Sequence, residues 1–342
     1  KAATKLRVIR AGGLTKIDAF FRALWRTREL AREKPHVVEA QDPFFTGLIA
    51  ALVARRARAR LCIQLHGDFW ADDPSLHPGA LRRLVARFVL GRADRIRVVS
   101  NRVKRGLLRE FPFLIHKDIR VFPILSGEAR LGSLPRAAWI ESQYGAGNAR
   151  ALFAGRLVRE KGLDWFLPLF ARVARETPLH LRILGEGAEK EDLQKLVTKL
   201  GVTERVTFAK TESHNLPNEY STADFLVLPS RQESWGRVVV EALQCGTPVL
   251  TTREVGCAED LLKDGVSALI APFGDDMAMA DRLRRMATDE TLRKRLAEAG
   301  RAAVSHLSFE RTVEEVARFW AGIETVAKLP NFDSTRLTTG IP

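Results

Sequence analysis

Residues 223–248 read ADFLVLPSRQESWGRVVVEALQCGTP. The apolar run from Phe225 to Leu228 stops at Pro229 and reads as a buried strand. A polar loop, Ser230 to Gly236, follows. A helix then opens at about Gly236, carries Val238 to Leu243 on its inner side and ends at Gly246, with Pro248 two residues on. Glycine followed by proline is the usual chemistry of a helix stop. A loop at a helix N-terminus offers unpaired backbone N–H groups and the positive end of a dipole, so it suits a phosphate. Two carboxylates flank the turn, Glu233 in the loop and Glu241 on the helix. Carboxylates accept hydrogen bonds from hydroxyls. The stretch therefore points to a ligand that carries both phosphate and sugar.

The same strand–loop–helix unit recurs outward in both directions. Strands are expected at Leu6–Ile9, His36–Ala40, Arg60–Leu65, Arg95–Val99 and Ile119–Phe122, with helices between them. A stretch rich in Gly, Pro, Ser and Ala, Ser126 to Asn148, reads as a connection. A second alternating run begins at the strand Ala149–Ala154 and continues through Leu179–Leu184, Val206–Phe208, Phe225–Leu228 and Leu250–Thr252. Gly256 reads as the start of a loop. Helices Met277–Met286, Glu290–Ser305 and Phe309–Ala327 close the run, and a polar tail follows from Asn331. Strands alternating with helices argue for an α/β class with doubly wound parallel sheets. The expected division is a first domain over 1–147, a second over 148–307, a last helical segment over 308–330 and a loose tail over 331–342.

Composition narrows the function classes. The chain has 342 residues, enough for two domains, with 46% hydrophobic and 28% charged residues. No apolar segment reaches the roughly 18 residues of a membrane span. The three cysteines, Cys62, Cys245 and Cys257, lack metal or redox spacing, which fits small buried thiols in a reducing compartment. The net charge of +14 is unevenly spread. Residues 1–147 hold 28 Lys and Arg against 13 Asp and Glu, whereas residues 148–342 hold 27 against 28. One half is strongly basic and the other neutral, which favours two domains with different partners.

Other residues carry chemistry. Arg156 and Lys161 follow a strand, at the rim where open α/β sheets bind ligands. Arg can clamp a diphosphate in bidentate fashion and Lys as a point charge, although a solvated surface pair has the same spacing. Gly185 and Gly187 form a G-x-G after the next strand, which serves equally as a tight turn. His66 closes a strand in the tripeptide HGD. Arg82, Arg83, Arg87, Arg102, Lys104, Arg105 and Arg109 crowd two successive helices, a solvated face or one drawn to anionic lipid.

The assembly resembles a known family. The pair Glu233/Glu241 framed by LPSRQESWGRVVVEALQCGTPVL, together with FAGRLVREKG and the His66-Gly67 pair, is similar to the retaining family 4 glycosyltransferases, glycosyl transferases group 1, of the two-domain GT-B fold. The resemblance implies two Rossmann-like domains facing a cleft, the first binding the acceptor and the second a nucleotide diphosphate sugar. It implies that Arg156 and Lys161 bind the donor diphosphate, that Glu241 accepts from the ribose, and that Glu233 contacts the transferred sugar. Ser234, Trp235 and Gly236 would hold sugar and phosphate through their N–H groups. Gly185 and Gly187 would lie beneath the nucleoside, and His66 near the sugar. It implies a front-face transfer of a hexosyl group with no metal or cofactor, to a saccharide or lipid-linked acceptor, from either a UDP- or a GDP-sugar. It also implies a cytoplasmic protein with peripheral contact to an anionic membrane, and a last helix, with Trp320, returning to the first domain. Nucleic acid is disfavoured as a partner, since the two Arg-rich helices offer only Phe88 and Phe111 for stacking.

Two departures stand out. The family usually places a small residue and an aromatic before the glycine; here they are Ser234 and Trp235, which changes the pocket shape and leaves the sugar open. Only about 25 residues separate Gly12-Gly13 from Val37, less than the family's spacing. Either part of the first sheet is missing from this chain, or Gly12-Gly13 is the phosphate loop of a shortened domain. Two further readings stay open: a sugar-nucleotide epimerase on the same plan, and a basic membrane- or nucleic-acid-binding protein that retains a relic donor domain.

Overall fold

The computed structural model describes residues 25–70, 79–125, 148–210 and 216–322. The expected strand at Leu6–Ile9, the Gly12-Gly13 loop, most of the connection after Ser126 and the tail lie outside these residues. Two parallel sheets organise what is described. The first holds β1 (Val37–Ala40), β2 (Arg60–Leu65), β3 (Arg95–Val98) and β4 (Asp118–Val121), side by side in that order. Helices α1 (Phe45–Ala57), α2 (Ala80–Arg92) and α3 (Asn101–Glu110) make the crossovers. Among the described residues the order of this sheet does not reverse.

The second sheet does reverse. Its strands are β5 (Ala149–Ala154), β6 (Leu179–Leu184), β7 (Val206–Ala209), β8 (Phe225–Leu228), β9 (Val249–Thr252) and β10 (Leu269–Ala271). They lie in the order β10-β9-β8-β5-β6-β7, all parallel. The chain runs outward from β5 to β7, then restarts beside β5 at β8 and runs the other way. That leaves a crevice beyond the ends of β5 and β8, where ligands of such sheets sit.

Burial explains the strands. Cys62, Ile63 and Leu65 of β2 and all four residues of β8 have no exposed surface, because helices cover both faces. Helix α4 (Leu163–Glu176) buries Leu163, Phe166, Leu167, Phe170, Ala171 and Ala174, the spacing of one helical face. Helices α5 (Lys190–Lys199), α6 (Leu216–Thr222), α7 (Arg237–Gln244), α8 (Gly256–Leu261), α9 (Asp276–Thr288) and α10 (Glu290–Val304) complete this unit. Two of these differ from the sequence expectation. Gly256 opens helix α8 and not a loop: a Cβ there would stand 2.2 Å from the Ser234 carbonyl, so close contact, not flexibility, requires glycine. Helix α6 was not expected at all, its seven residues being too short to show a period.

Helix α11 (Phe309–Ala321) leaves the second unit and lies on the first sheet, where Phe319 and Trp320 pack with Cys62 and Phe122. Arg60 donates to the Ala321 carbonyl and Arg95 to that of Phe319. Cations thus meet the negative end of the helix. Further contacts join the units at the head of α3. The Ser100 hydroxyl caps α3, accepting from Val103 N, and donates to the Ser234 carbonyl at 2.7 Å. Asn101 N donates to Asp260 Oδ2 at 3.0 Å, and Arg105 pairs with Glu259.

Phe319 has no exposed surface. Phe319→Ala should cost about 3–5 kcal/mol, read as an earlier unfolding of the first unit in urea. Burial lifts the Asp260 carboxyl from 3.8 to about 6, against the pull of Asn101 N–H. The folded chain then holds this proton more tightly than the unfolded chain. Its share of stability is largest at low pH and is lost as pH rises from 3.8 through about 6. Urea titrations of Asp260→Asn should show that slope flattened.

Candidate active site at the switch point of the second sheet

The crevice is built by backbones in close contact. After β5 the chain turns at Gly155, and Gly185, after β6, approaches so near that a Cβ would stand 1.9 Å from the Gly155 carbonyl. A Cβ on Gly187 would stand 2.2 Å from the Leu157 carbonyl. Leu157 N donates to the Glu186 carbonyl at 2.8 Å, locking the two loops together. The G-x-G is thus fully explained as packing of two loop backbones, whatever else it does. Gly162 follows the same logic: it is left-handed, at φ 69°, and a Cβ would stand 2.1 Å from the Pro229 carbonyl beyond β8.

These contacts bring the charged side chains to one rim. The short 3-10 turn Arg159–Lys161 docks on the loop after β8, with Arg231 N donating to the Glu160 carbonyl at 2.9 Å. Arg231 also pairs with Asp164 at 2.5 Å and covers the Phe273 ring. The loop so fixed presents Glu233, whose carboxylate pairs with the Lys161 ammonium. Both side chains are largely buried, at 15% and 18% exposure. Arg156 stands exposed on the same rim at the end of β5. Lys161 and Glu233 are thus in contact, and Arg156 lies on the loop that leads to Lys161.

Glu241 lies deeper. It is 5% exposed on α7, whose N-cap is the left-handed Gly236. Its Oε2 accepts from the buried Tyr220 hydroxyl at 2.8 Å, and its Oε1 faces Arg237 Nε at 3.1 Å. Arg237 itself is half exposed. Tyr220, the partner of Glu241, was not foreseen, since it sits in the unexpected helix α6.

The Trp235 side chain points away from the rim. Its indole is buried and lines a cavity of about 30 Å³ with Phe122, Pro123, Asp260 and Leu307, between the two units. Among the described residues its Nε1 and Asp260 Oδ1 are buried without a hydrogen-bond partner. The ring is spent on the joint between the units, and the rim keeps only its backbone. Ser234 likewise faces across, through its carbonyl to Ser100.

The first unit supplies the facing wall. His66 ends β2, half buried, and its pKa lies below the ordinary imidazole value because of burial and then the nearby Arg97 charge. The ring is neutral at pH 7. Two residues on, the Asp68 carbonyl accepts from Gln232 Nε2 at 2.6 Å, which brings the His66 loop against the residue before Glu233. The Asp68 carboxylate pairs with Arg102 at 3.1 Å. Gln232, Asp68 and Ser100 were missed as site residues. A helix-cap serine and a lone glutamine carry no signature until two domains meet.

The basic face foreseen over two helices divides on inspection. Arg102 pairs with Asp68, Arg105 with Glu259 and Arg83 with Glu110, while Lys104 donates to the Ile119 carbonyl at 3.1 Å. Arg102, Lys104 and Arg105 of α3 thus serve the structure, while Arg82 and Arg87 of α2 lie over the Phe44 and Phe113 rings.

Comparisons with known proteins agree with this geometry. The domain model "Glycosyl transferases group 1" matches residues 141–303, and "Glycosyl transferase 4-like domain" matches residues 2–124. The lipopolysaccharide core biosynthesis glycosyltransferase LpsE of Rhizobium meliloti is 34% identical over 54% of this chain and 52% of its own length. The 2-deoxystreptamine N-acetyl-D-glucosaminyltransferase of Streptomyces fradiae is 30% identical over 77% and 65%. The chain thus spans between about half and two thirds of the length of these relatives. Among solved structures, sucrose-phosphate synthase from Thermosynechococcus elongatus superposes with a TM-score of 0.76 at 22% identity, covering 92% of this chain and 82% of that one. Anabaena Alr3699/HepE in complex with UDP and glucose gives 0.75 at 19%, covering 92% and 84%. Its two halves matched in order by the two domain models, and its fold shared with these structures, the chain belongs to the group 1 glycosyltransferases of the GT-B fold.

Proposed function

We propose that this chain transfers a hexosyl group, with retention, from a nucleotide diphosphate sugar to a saccharide or lipid-linked acceptor. The observation that carries the reading is the Lys161–Glu233 pair beside Arg156 at the switch point of the second sheet. The donor diphosphate lies against Arg156 and Lys161, and the transferred sugar gives its hydroxyls to Glu233. The ribose reaches Glu241 once Arg237 swings outward. UDP is the favoured base, since HepE, a structural relative, was solved with UDP and with UDP-glucose. GDP is the competing choice.

In the reaction the bond from the anomeric carbon to the diphosphate oxygen breaks and a bond to the acceptor oxygen forms on the same face. The acceptor proton passes to the departing phosphate oxygen. Negative charge builds on the diphosphate as positive charge builds on the sugar, so the protein's task is to hold groups in place and meet that charge. Arg156 and Lys161 supply two positive charges at that point, which is why we propose a metal-independent transfer with no cofactor. His66, neutral at pH 7, offers a hydrogen bond to the sugar without adding a charge that would oppose the cationic centre. The setting we propose is the cytoplasm, with peripheral contact to an anionic membrane that presents the acceptor.

Lys161→Ala and Glu233→Gln should each lower kcat by about 10²–10³-fold, the scale of losing one group that meets transition-state charge. UDP-induced thermal stabilisation should be lost in Arg156→Ala and Glu241→Ala. A folded wild-type chain stabilised by neither UDP nor GDP would overturn the reading. Because burial and Arg97 hold the His66 pKa down, the acid limb of kcat/KM should fall below the ordinary imidazole pH of 6.5 and disappear in His66→Asn.

A further inference from the structure

The residues on either side of Glu233 both reach across to the first unit. Gln232 Nε2 donates to the Asp68 carbonyl at 2.6 Å, and the Ser234 carbonyl accepts from the Ser100 hydroxyl at 2.7 Å. Glu233 itself stays with the second unit. Its N donates to the Glu254 carbonyl at 3.1 Å and its carbonyl accepts from Gly256 N at 2.9 Å, a short parallel bridge. Extended backbone sends successive side chains to opposite sides. Glu233 therefore turns to Lys161 while Gln232 turns to the first unit. The carboxylate assigned to the sugar is bracketed by two bonds between the units.

The loop that Gln232 meets is firm on its own side. Asp68 is buried, and its carboxylate pairs with Arg102 of α3 at 3.1 Å. Trp70 is buried against Phe44, Phe69 and Phe111. A Cβ on Gly106 of α3 would stand 3.0 Å from the Trp70 carbonyl, so loop and helix touch. The loop therefore moves with the first unit, and His66 moves with it. What Gln232 fixes is the gap between His66 and Glu233. Its chemistry agrees with that task. Among the described residues its Oε1 is buried without a hydrogen-bond partner. A half-satisfied buried amide adds little to stability, because the orphan end costs about what the paired end returns. An apolar side chain of the same length would serve packing as well. The directional bond to the Asp68 carbonyl is what glutamine adds here.

We infer that Gln232 is a positioning residue for the transfer: its amide holds the His66 loop against the rim, so that the transferred sugar is gripped between Glu233 of the second unit and His66 of the first. The diphosphate, met by Arg156 and Lys161 of the second unit, does not need this bond. Recognition of the sugar and of the diphosphate thus separate at one side chain. The inference rests on the proposed donor site for what is gripped, while the seating of the His66 loop needs no ligand.

Gln232→Met tests the bond, since it fills the same space and removes the donor; Gln232→Ala removes both. An NMR titration of the imidazoles, with the His66 signal assigned by its absence in His66→Asn, reads the loop. Thermal stabilisation by UDP, UDP-glucose, UDP-galactose and UDP-N-acetylglucosamine reads the site. In the wild-type chain His66 should titrate below 6.5, held down by burial and by Arg97. In both variants its pKa should rise toward 6.5 as the rim leaves the loop and water enters. The affinity that the preferred UDP-sugar gains over UDP should shrink by about tenfold, the scale of one lost hydrogen bond to a charged group, while binding of UDP alone falls much less. An unchanged His66 titration in both variants would overturn the inference. So would equal losses for UDP and UDP-sugar, which mark a structural role only, or a sugar-dependent gain that survives in Gln232→Met. A wild-type chain stabilised by none of the four nucleotides would count against the donor site, and the His66 titration would still decide the seating of the loop.

Discussion

The close approach of Gly162 to the Pro229 carbonyl sets the geometry on which the site depends. With the loops after β5 and β8 touching backbone to backbone, Lys161 and Glu233 meet although they stand 72 residues apart. Any side chain at 162 would push the 3-10 turn off the loop after β8, and the ion pair with it. The glycines at 185 and 187 do the same work between β5 and β6. The floor of the crevice is therefore fixed by carbonyl–glycine contacts, and the charged groups are carried on it. This is a rigid way to hold two opposite charges at a rim where a ligand must later come between or beside them.

Much of this was legible in the residues. Strand β8, bounded by Pro229, and helix α7, bounded by Gly236 and Gly246, follow from apolar runs and stop chemistry, and the structure sets them almost residue for residue where the sequence reading did. The second sheet's other long strands and helices were equally plain, because each buries a complete face. What was not legible is what depends on contacts between distant segments. Helix α8 begins with a glycine that reads as a loop until Ser234 and Ser100 are seen pressed against it. Tyr220 under Glu241 belongs to a helix too short for any period. The cluster of cations on α2 and α3 looked like one face, and only the acidic partners of α3, some from the other unit, show that it is not.

Trp235 illustrates the same limit from the other side. The sequence reading assigned a use to its N–H group and none to its ring, and the ring fills space between the units beside Phe122 and Leu307. A large indole at this position makes the motif loop part of the inter-unit packing. The residue after Glu233 and Ser234 is thus tied to the relative placement of the two halves, and the rim loop cannot shift without disturbing that packing. Asp260, held by Asn101 from the other unit, lines the same cavity.

The chain passes between the two units twice, once between β4 and β5 and again between α10 and α11. Phe122, just after β4, and Leu307, just after α10, line one cavity, so the chain leaves for the two passages from neighbouring places. Two bodies joined at a single point can swing and twist freely. Joined at a second point, they lose part of that freedom. Sliding of one half on the other would pull α11 from Cys62 and Phe122. Helix α11 thereby ties the halves together at a second place, on the same side as Phe122.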